Sequence, residues 1–373
     1  MSKTIHLIGS LKYRIFISLG LSFLTMLFIL ACSNQKPIRI AAILPLTGAG
    51  QDVGENVRDG MQLATQEINK KGGINGRKIK LLTRDCKTNP DLARSEYKQM
   101  ITQEPLLTVT CLSSVSTALA PIAEKEKGLL LALVATAPNI TQDRSWTYRY
   151  YPTAKDELPA LQAILRRVKP RNLGIMYLDD EYGRSMFKVI KNSTSELGIS
   201  TVNSPFSSLQ PDLDNIPDKI LNSKAVLMLG FPVHMLKILK MLDEHDYSGT
   251  IIANSSGTAS LVRNAPAADG IYVVSSAIYN QNFTFVDKIR SRYEKRYKKD
   301  FDQYAANGYD FIKLLAGFLD KHGTTKPELK AAFEKGFVYS GIFGNVSLPE
   351  GSQDISFPHF PAQIENGQIN FIR

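Results

Sequence analysis

Apolar runs of strand length alternate with amphipathic stretches along most of the chain. The run over 38–44 is apolar except at Arg39 and predicts a strand. After it, Val53, Val57, Met61, Ala64 and Ile68 recur at helical spacing until Gly72-Gly73 stops the helix. Strands follow over 79–83, 106–110 and 129–134, with helices over 91–103 and 117–126 between them. A second series has strands over 173–178, 225–229, 250–253 and 271–274, with helices over 183–197 and 233–243. Strands that alternate with helices predict parallel sheets covered on both faces, here twice over.

The chain length of 373 residues is more than one core usually serves, which agrees with two lobes. Apolar residues make up 43% and charged residues 21%, so neither a disordered nor a fibrous chain is expected. The net charge of +10 draws attention to 288–299. There Phe285, Ile289, Tyr293 and Tyr297 form one stripe, opposite Lys288, Arg290, Arg292, Lys295, Arg296, Lys298 and Lys299. A solvated helix face explains this pattern, and contact with anionic lipid or a partner protein is the alternative. Nucleic acid is not expected as a partner.

The first residues read as a targeting segment. Lys3, Lys12 and Arg14 precede an uncharged apolar run over 15–31, which ends at Cys32. That run is short of the ~20 residues of a comfortable membrane span. Ile29-Leu30-Ala31-Cys32 resembles a bacterial lipobox, which makes 1–31 a signal, Cys32 the lipidated first residue and 32–37 a polar tether; an uncleaved anchor is the alternative. Removing 1–31 leaves 42 basic against 35 acidic side chains. Export places the other two cysteines, Cys86 and Cys111, where a disulfide is permitted. They are either a bridge, with about 3–4 kcal/mol of chain-entropy stabilisation, or two separate buried thiols.

Catalytic signatures are absent from the sequence. Gly48, Gly50 and Gly54 sit between strand and helix like a dinucleotide loop, but the spacing is one residue too long, so a glycine-dependent cleft loop is expected and no cofactor. His234, His245, His322 and His359 have no metal-ligand spacing, and no metal is expected. Asp179, Asp180 and Glu181 stand at a strand-to-helix junction, where capping and dipole neutralisation account for them more simply than a cation does. An enzyme is not expected. The more informative feature is Ser113, Ser114, Ser116 and Thr117, four hydroxyls opening a helix, where backbone N–H groups favour a carboxylate. Ala135-Thr136-Ala137-Pro138 follows the next strand at the same sheet edge, where ligands of open α/β sheets collect.

These features, taken in order, resemble the leucine/isoleucine/valine-binding proteins, type I periplasmic binding proteins of ABC transporters. The resemblance runs from Ile40 to about Ile369 and rests first on Ala42-Ile43-Leu44-Pro45-Leu46-Thr47-Gly48, Gly60, Ala64, Glu67-Ile68-Asn69 and Gly72-Gly73-Ile74-Asn75-Gly76-Arg77. Ala120-Pro121-Ile122-Ala123, Asp180-Glu181-Tyr182-Gly183, Tyr304-Ala305-Ala306 and Tyr309-Asp310 continue it. It implies two Rossmann-like lobes, 38–150 with 279–340 and 151–278 with 341–373, joined by three crossovers and closing on a ligand. It also implies a ligand carboxylate held by Ser114, the Val134 backbone and Thr136, and a ligand contact from Tyr182. Ser113 and Phe231 complete the expected cleft, and the family's disulfide falls on Cys86 and Cys111.

Departures from the family bear on the ligand. The carboxylate that usually holds the ligand's ammonium falls on Asn254 or Ser255, and an aspartate of the first crossover falls on Ala154, beside Arg149 and Pro152. Either Glu157 or Asp179 substitutes, or the ligand is a small carboxylate, amide or modified amino acid rather than plain leucine. The expected role is capture of a small polar ligand by a monomer, lipid-anchored at the cell envelope, for delivery to an ABC permease. An envelope sensor or regulatory partner-binding lipoprotein of the same fold is the alternative.

Overall fold

The computed structural model describes residues 36–207, 216–280 and 283–372, apart from the side chains of Glu181 and Tyr182. The signal over 1–31 and Cys32 lie outside the described residues. Among the described residues no helix is long and apolar enough to cross a membrane.

The first lobe is built on strands β1 (Ile38–Leu44), β2 (Ile79–Asp85), β3 (Leu107–Cys111), β4 (Leu130–Leu133) and β5 (Thr147–Arg149), all parallel and ordered β2-β1-β3-β4-β5. Helices α1 (Gln51–Lys70), α2 (Pro90–Ile101) and α3 (Ser113–Lys125) return the chain between strands. Because both faces are covered, the strands read as near-continuous apolar runs. Ile40, Ala42 and Leu44 of β1 enter one core, and Ile43 enters another with Val115, Leu119 and Leu130.

The chain then crosses to the second lobe through Tyr150–Thr153, and Thr153 and Asp156 form a reciprocal cap on α4 (Ala154–Val168). The second sheet comprises β6 (Asn172–Leu178), β7 (Ser200–Phe206), β8 (Ala225–Leu229), β9 (Thr250–Ala253) and β10 (Tyr272–Ser276). Helices α5 (Glu181–Glu196), the short α6 (Asp218–Leu221), α7 (Pro232–Glu244) and the short α8 (Ser260–Arg263) connect them. The chain returns to the first lobe for α9 (Phe285–Tyr297), α10 (Gln303–His322) and α11 (Lys326–Glu334).

Two features differ from the sequence expectation. The first is the last boundary. The hairpin β11 (Phe337–Gly341) and β12 (Gly344–Leu348) stays with the first lobe, where Ile342, Phe343, Val346, Leu348, Ile355 and Phe357 join the core. The third crossover therefore comes after Phe357 rather than at 341. The second is strand direction. β13 (His359–Glu365) adds antiparallel to β10 and β14 (Gln368–Phe371) antiparallel to β13, giving the order β14-β13-β10-β9-β8-β6-β7. Their turn is Asn366-Gly367, both at positive φ (50° and 73°), the pair that a tight hairpin requires.

One helix contact explains two glycines. α1 and α10 cross so closely that a Cβ on Gly60 would stand 2.0 Å from the Ala305 carbonyl oxygen, and one on Gly308 would stand 2.2 Å from that of Val57. Further along α10, the buried Asp310 accepts from Tyr150 Oη (2.9 Å), Tyr339 Oη (3.1 Å) and Ile342 N (3.2 Å). This carboxylate ties the first crossover to the hairpin that leads into the third.

Candidate functional site

The C-terminal ends of the first sheet's strands meet loops from the second lobe at one small cavity. It is lined by Ser113, Val134, Thr136, Tyr151 and Tyr304 on one side and by Glu157, Phe231, Ser255 and Ser256 on the other. The centre of a water-sized sphere has about 20 Å³ to move in, roughly the space of one water. The lobes are thus closed on each other, and a ligand of amino-acid size enters only when they part.

The first-lobe wall is two strand exits held in unusual backbone conformations. Leu112, between β3 and α3, has φ +70°, and Val134, after β4, has φ +46°. Positive φ on a leucine or a β-branched valine costs energy and persists where the surroundings over-determine it. The surroundings here are explicit. Ser113 Oγ accepts from the backbone N–H of Thr136 (3.1 Å) and Ala137 (3.3 Å). From the other side the buried Arg149 donates to the carbonyls of Ala135 (3.3 Å) and Ala137 (3.0 Å), to Thr141 Oγ1 (2.9 Å) and to Asp354 Oδ1 (2.9 Å). Thr136 Oγ1 is buried at this turn without a hydrogen-bond partner among the described residues.

The helix predicted over 117–126 begins at Ser113, so the hydroxyl cluster forms the first turn of α3. Its members then divide. Ser113 braces the neighbouring turn, Ser116 is buried, and Ser114 is exposed and outside the cavity lining. The loop at Gly48–Gly54 is braced by Asp85, which accepts from Leu46 N, Thr47 N, Thr47 Oγ1 and Lys87 N. Burial raises this carboxyl, and those four donors outweigh it, leaving Asp85 below its ordinary range. The acid has no distinctive spacing in the sequence; only the fold brings Leu46 and Thr47 to it.

On the second-lobe wall Glu157, near the start of α4, is buried and accepts from Ser255 N (3.1 Å) and Ser255 Oγ (2.8 Å). Each carboxylate oxygen thus uses one lone-pair site and keeps another. Burial pushes the Glu157 carboxyl up, against the opposing pull of His359 and the Ser255 bonds. The other acid named from the sequence, Asp179, is half-exposed, paired with Arg184 at 2.7 Å, and outside the lining. Asp180 caps α5 through Gly183 N (2.8 Å). Phe231 occupies the N-cap position of α7 and lines the cavity, as does Ser255; Asn254 lies beside Glu157 over a smaller apolar cavity that includes Leu161, Met186 and Leu229. Tyr182 is in the first turn of α5, and its side chain lies outside the described residues.

Tyr151, Ser256 and Tyr304 join the cavity without having been singled out as ligand contacts. Tyr304 has a sequence signal, since Asp302 caps α10 through the N–H groups of Tyr304 (3.0 Å) and Ala305 (2.9 Å). Its hydroxyl is raised above its usual range by burial and has no hydrogen-bond partner among the described residues.

The expected Cys86–Cys111 bridge is not formed in this structure, where both residues are free, buried thiols at the ends of the strands flanking β1. Burial pushes Cys86 up to about 11 and Cys111 higher still, and their proximity raises Cys111 further.

Comparison with known proteins places this geometry. The family model described as periplasmic binding protein matches residues 37–368. A Leu/Ile/Val-binding protein homolog 7 from Brucella abortus is 26% identical over 314 residues, 76% of each chain. A leucine-, isoleucine-, valine-, threonine- and alanine-binding protein from Pseudomonas aeruginosa is 23% identical over 328 residues, 84% of this chain and 86% of that one. Among solved structures, a leucine-binding protein, LivK, from Thermotoga maritima superposes with a TM-score of 0.78 at 20% identity, covering 90% of this chain and 98% of that one. With two α/β lobes closed on one cavity and a family match over nearly all the described residues, the chain belongs to the periplasmic binding protein family.

Proposed function

We propose that this protein captures a small zwitterion, an amino acid or an amine-bearing derivative, and delivers it to an ABC permease. The observation that carries the reading is the placement of Thr136 and Glu157 on opposite walls of one cavity. The Thr136 hydroxyl, buried without a partner, and the strained Val134 turn offer donors to a carboxylate. Glu157 offers spare lone pairs to an ammonium and substitutes for the acid replaced by Asn254 or Ser255. An incoming ammonium would also favour the ionised carboxylate that burial disfavours. Lobe opening admits the ligand, and closure is favoured because both walls then contact it.

Calorimetry with a panel of amino acids and their des-amino counterparts tests this directly. Loss of the amine should weaken binding by roughly 10- to 100-fold, the worth of a charge-assisted hydrogen bond. Equal affinity for the des-amino acids would sink the zwitterion and return the ligand to simple carboxylates or amides. Two attendant readings belong to the same proposal: export with a lipid on Cys32, and oxidation of Cys86 and Cys111 to a bridge in the exporting compartment. Mass spectrometry of the purified chain, with and without reductant, reports both.

A further inference from the structure

We propose that the base of the first lobe, opposite the cleft, docks on an anionic phospholipid bilayer. The N-terminal ends of β1, β2, β3 and β4 lie side by side there, with Ile38 level with Ile79, Ile40 with Leu107 and Thr108 with Leu130. The helices that return between these strands end on the same face. It carries the exposed Lys36, Lys70, Lys71, Lys78, Lys125 and Lys127 against the exposed acids Glu104 and Glu126. Lysines at helix C-termini complement the helix dipole, but that alone leaves their charge turned to solvent. Among the described residues none of Lys70, Lys71, Lys125 and Lys127 enters an ion pair.

The helix that looked most basic in the sequence differs. On α9, Arg290 pairs with Asp287, Arg292 with Glu67, and Lys299 with Glu55 and Asp59. Three of the seven basic residues over 288–299 are therefore paired with acids, while Lys288, Lys295, Arg296 and Lys298 enter no ion pair among the described residues.

The second observation is where the chain enters the fold. Arg77 Nε donates to the Lys36 carbonyl (2.9 Å) and its guanidinium to Thr324 Oγ1 (2.6 Å), fixing the entry point at this base. Four peptide bonds separate Lys36 from Cys32, at most about 14 Å of extended chain. The inference rests on the reading that Cys32 carries the anchor, which would hold this face about one to two Debye lengths from the lipid headgroups. Since about 14 Å is a maximum, the tether lets the face approach within one Debye length, the range over which anionic lipid attracts juxtamembrane lysines.

The test is flotation of the chain beginning at Ser33, which retains every described strand and helix of both lobes. The probes are phosphatidylcholine vesicles with and without phosphatidylglycerol. Binding should require phosphatidylglycerol and weaken as salt rises. It should fall about tenfold or more when Lys70→Glu, Lys71→Glu, Lys125→Glu and Lys127→Glu are combined. Lys288→Glu with Lys295→Glu on α9 should leave it unchanged, and an unaltered melting curve would show that each variant folds. Binding indifferent to vesicle charge or to the basal substitutions, including binding lost equally with the α9 pair, overturns the proposal. The anchor is read separately from the mass of the mature N-terminus, so a missing lipid and a non-binding base are distinguishable.

Discussion

The two walls of the cleft are built on opposite principles. The first-lobe wall is mostly backbone, two strand exits at positive φ held by Ser113 on one side and a buried arginine on the other. The second-lobe wall depends on one buried side chain, Glu157, supported by a single serine. A wall of backbone amides recognises a group that nearly every ligand of one class shares, and many contacts determine its shape. A wall with one acid is easily rewritten by substitution, and in this chain the acid stands where the sequence resemblance does not place it. On the proposed reading, carboxylate capture would be the rigid half of the site and ammonium capture the adaptable half.

The largest expected effect comes from dismantling the rigid wall. Arg149→Met leaves the Ala135 and Ala137 carbonyls and Thr141 without their donor and should cost about 3 kcal/mol of stability in urea unfolding. Ligand binding should be lost with it, even at temperatures where the variant is folded. If the variant keeps wild-type affinity, the turn does not need its brace.

Next is the adaptable wall. Glu157→Gln should weaken an amine-bearing ligand by about 1.5–3 kcal/mol while raising the stability of the free protein at neutral pH, because a buried charge is removed. Affinity and stability moving in the same direction would contradict this assignment. Thr136→Val is expected to cost only about 1 kcal/mol of affinity with little change in melting temperature, since its hydroxyl bonds nothing in the free chain.

The smallest effect is in the pH dependence of the ligand-free protein. Glu157 is raised above its ordinary 4.5, and Asp302 and Asp310 are raised from 3.8 to about 6, burial being the main cause each time. Folded-state carboxyls raised in this way bind more protons than in the unfolded chain. Their contribution is therefore fully present below the unfolded values and is lost as pH rises through about 6. Asp85 has the opposite sign: its lowered carboxyl stabilises above 3.8 and loses that as pH falls. Unfolding free energy measured from pH 4 to 8 should decline as pH rises towards about 6 and level off above it, and more shallowly in Glu157→Gln.

Much of the fold could be read from local pattern. The strand at Ile38–Leu44, the helical spacing through Ile68 and the strand at Ala225–Leu229 match the structure because continuous apolar runs between helices are what a doubly covered sheet requires. The elements that pattern alone did not reveal are short, polar or at an edge. β5 has three residues, and β7, an edge strand, includes Asn203, Ser204 and Pro205. Two further signals are present in the sequence, the Thr153–Asp156 cap that starts α4 and the Asn366-Gly367 turn that pairs β13 with β14. The hydroxyl cluster and the Ala-Thr turn lie at the sheet edge that borders the cavity, but the sequence does not tell which hydroxyl braces and which faces it. That division depends on helix phase, since one residue along α3 turns a side chain by about 100°.

The sequence by itself determined the lobed α/β plan, the sheet edge that carries the site and the family, because hydrophobic periodicity, glycine positions and turn residues act over a few neighbours. Only the tertiary structure decided that the last hairpin belongs to the first lobe, that Glu157 rather than Asp179 faces the cleft, and that Lys70, Lys71, Lys125 and Lys127 gather at one base without an ion pair among the described residues. Each of those outcomes depends on residues tens to hundreds of positions apart meeting across a core, and burial and charge pairing are properties of that meeting rather than of either segment alone.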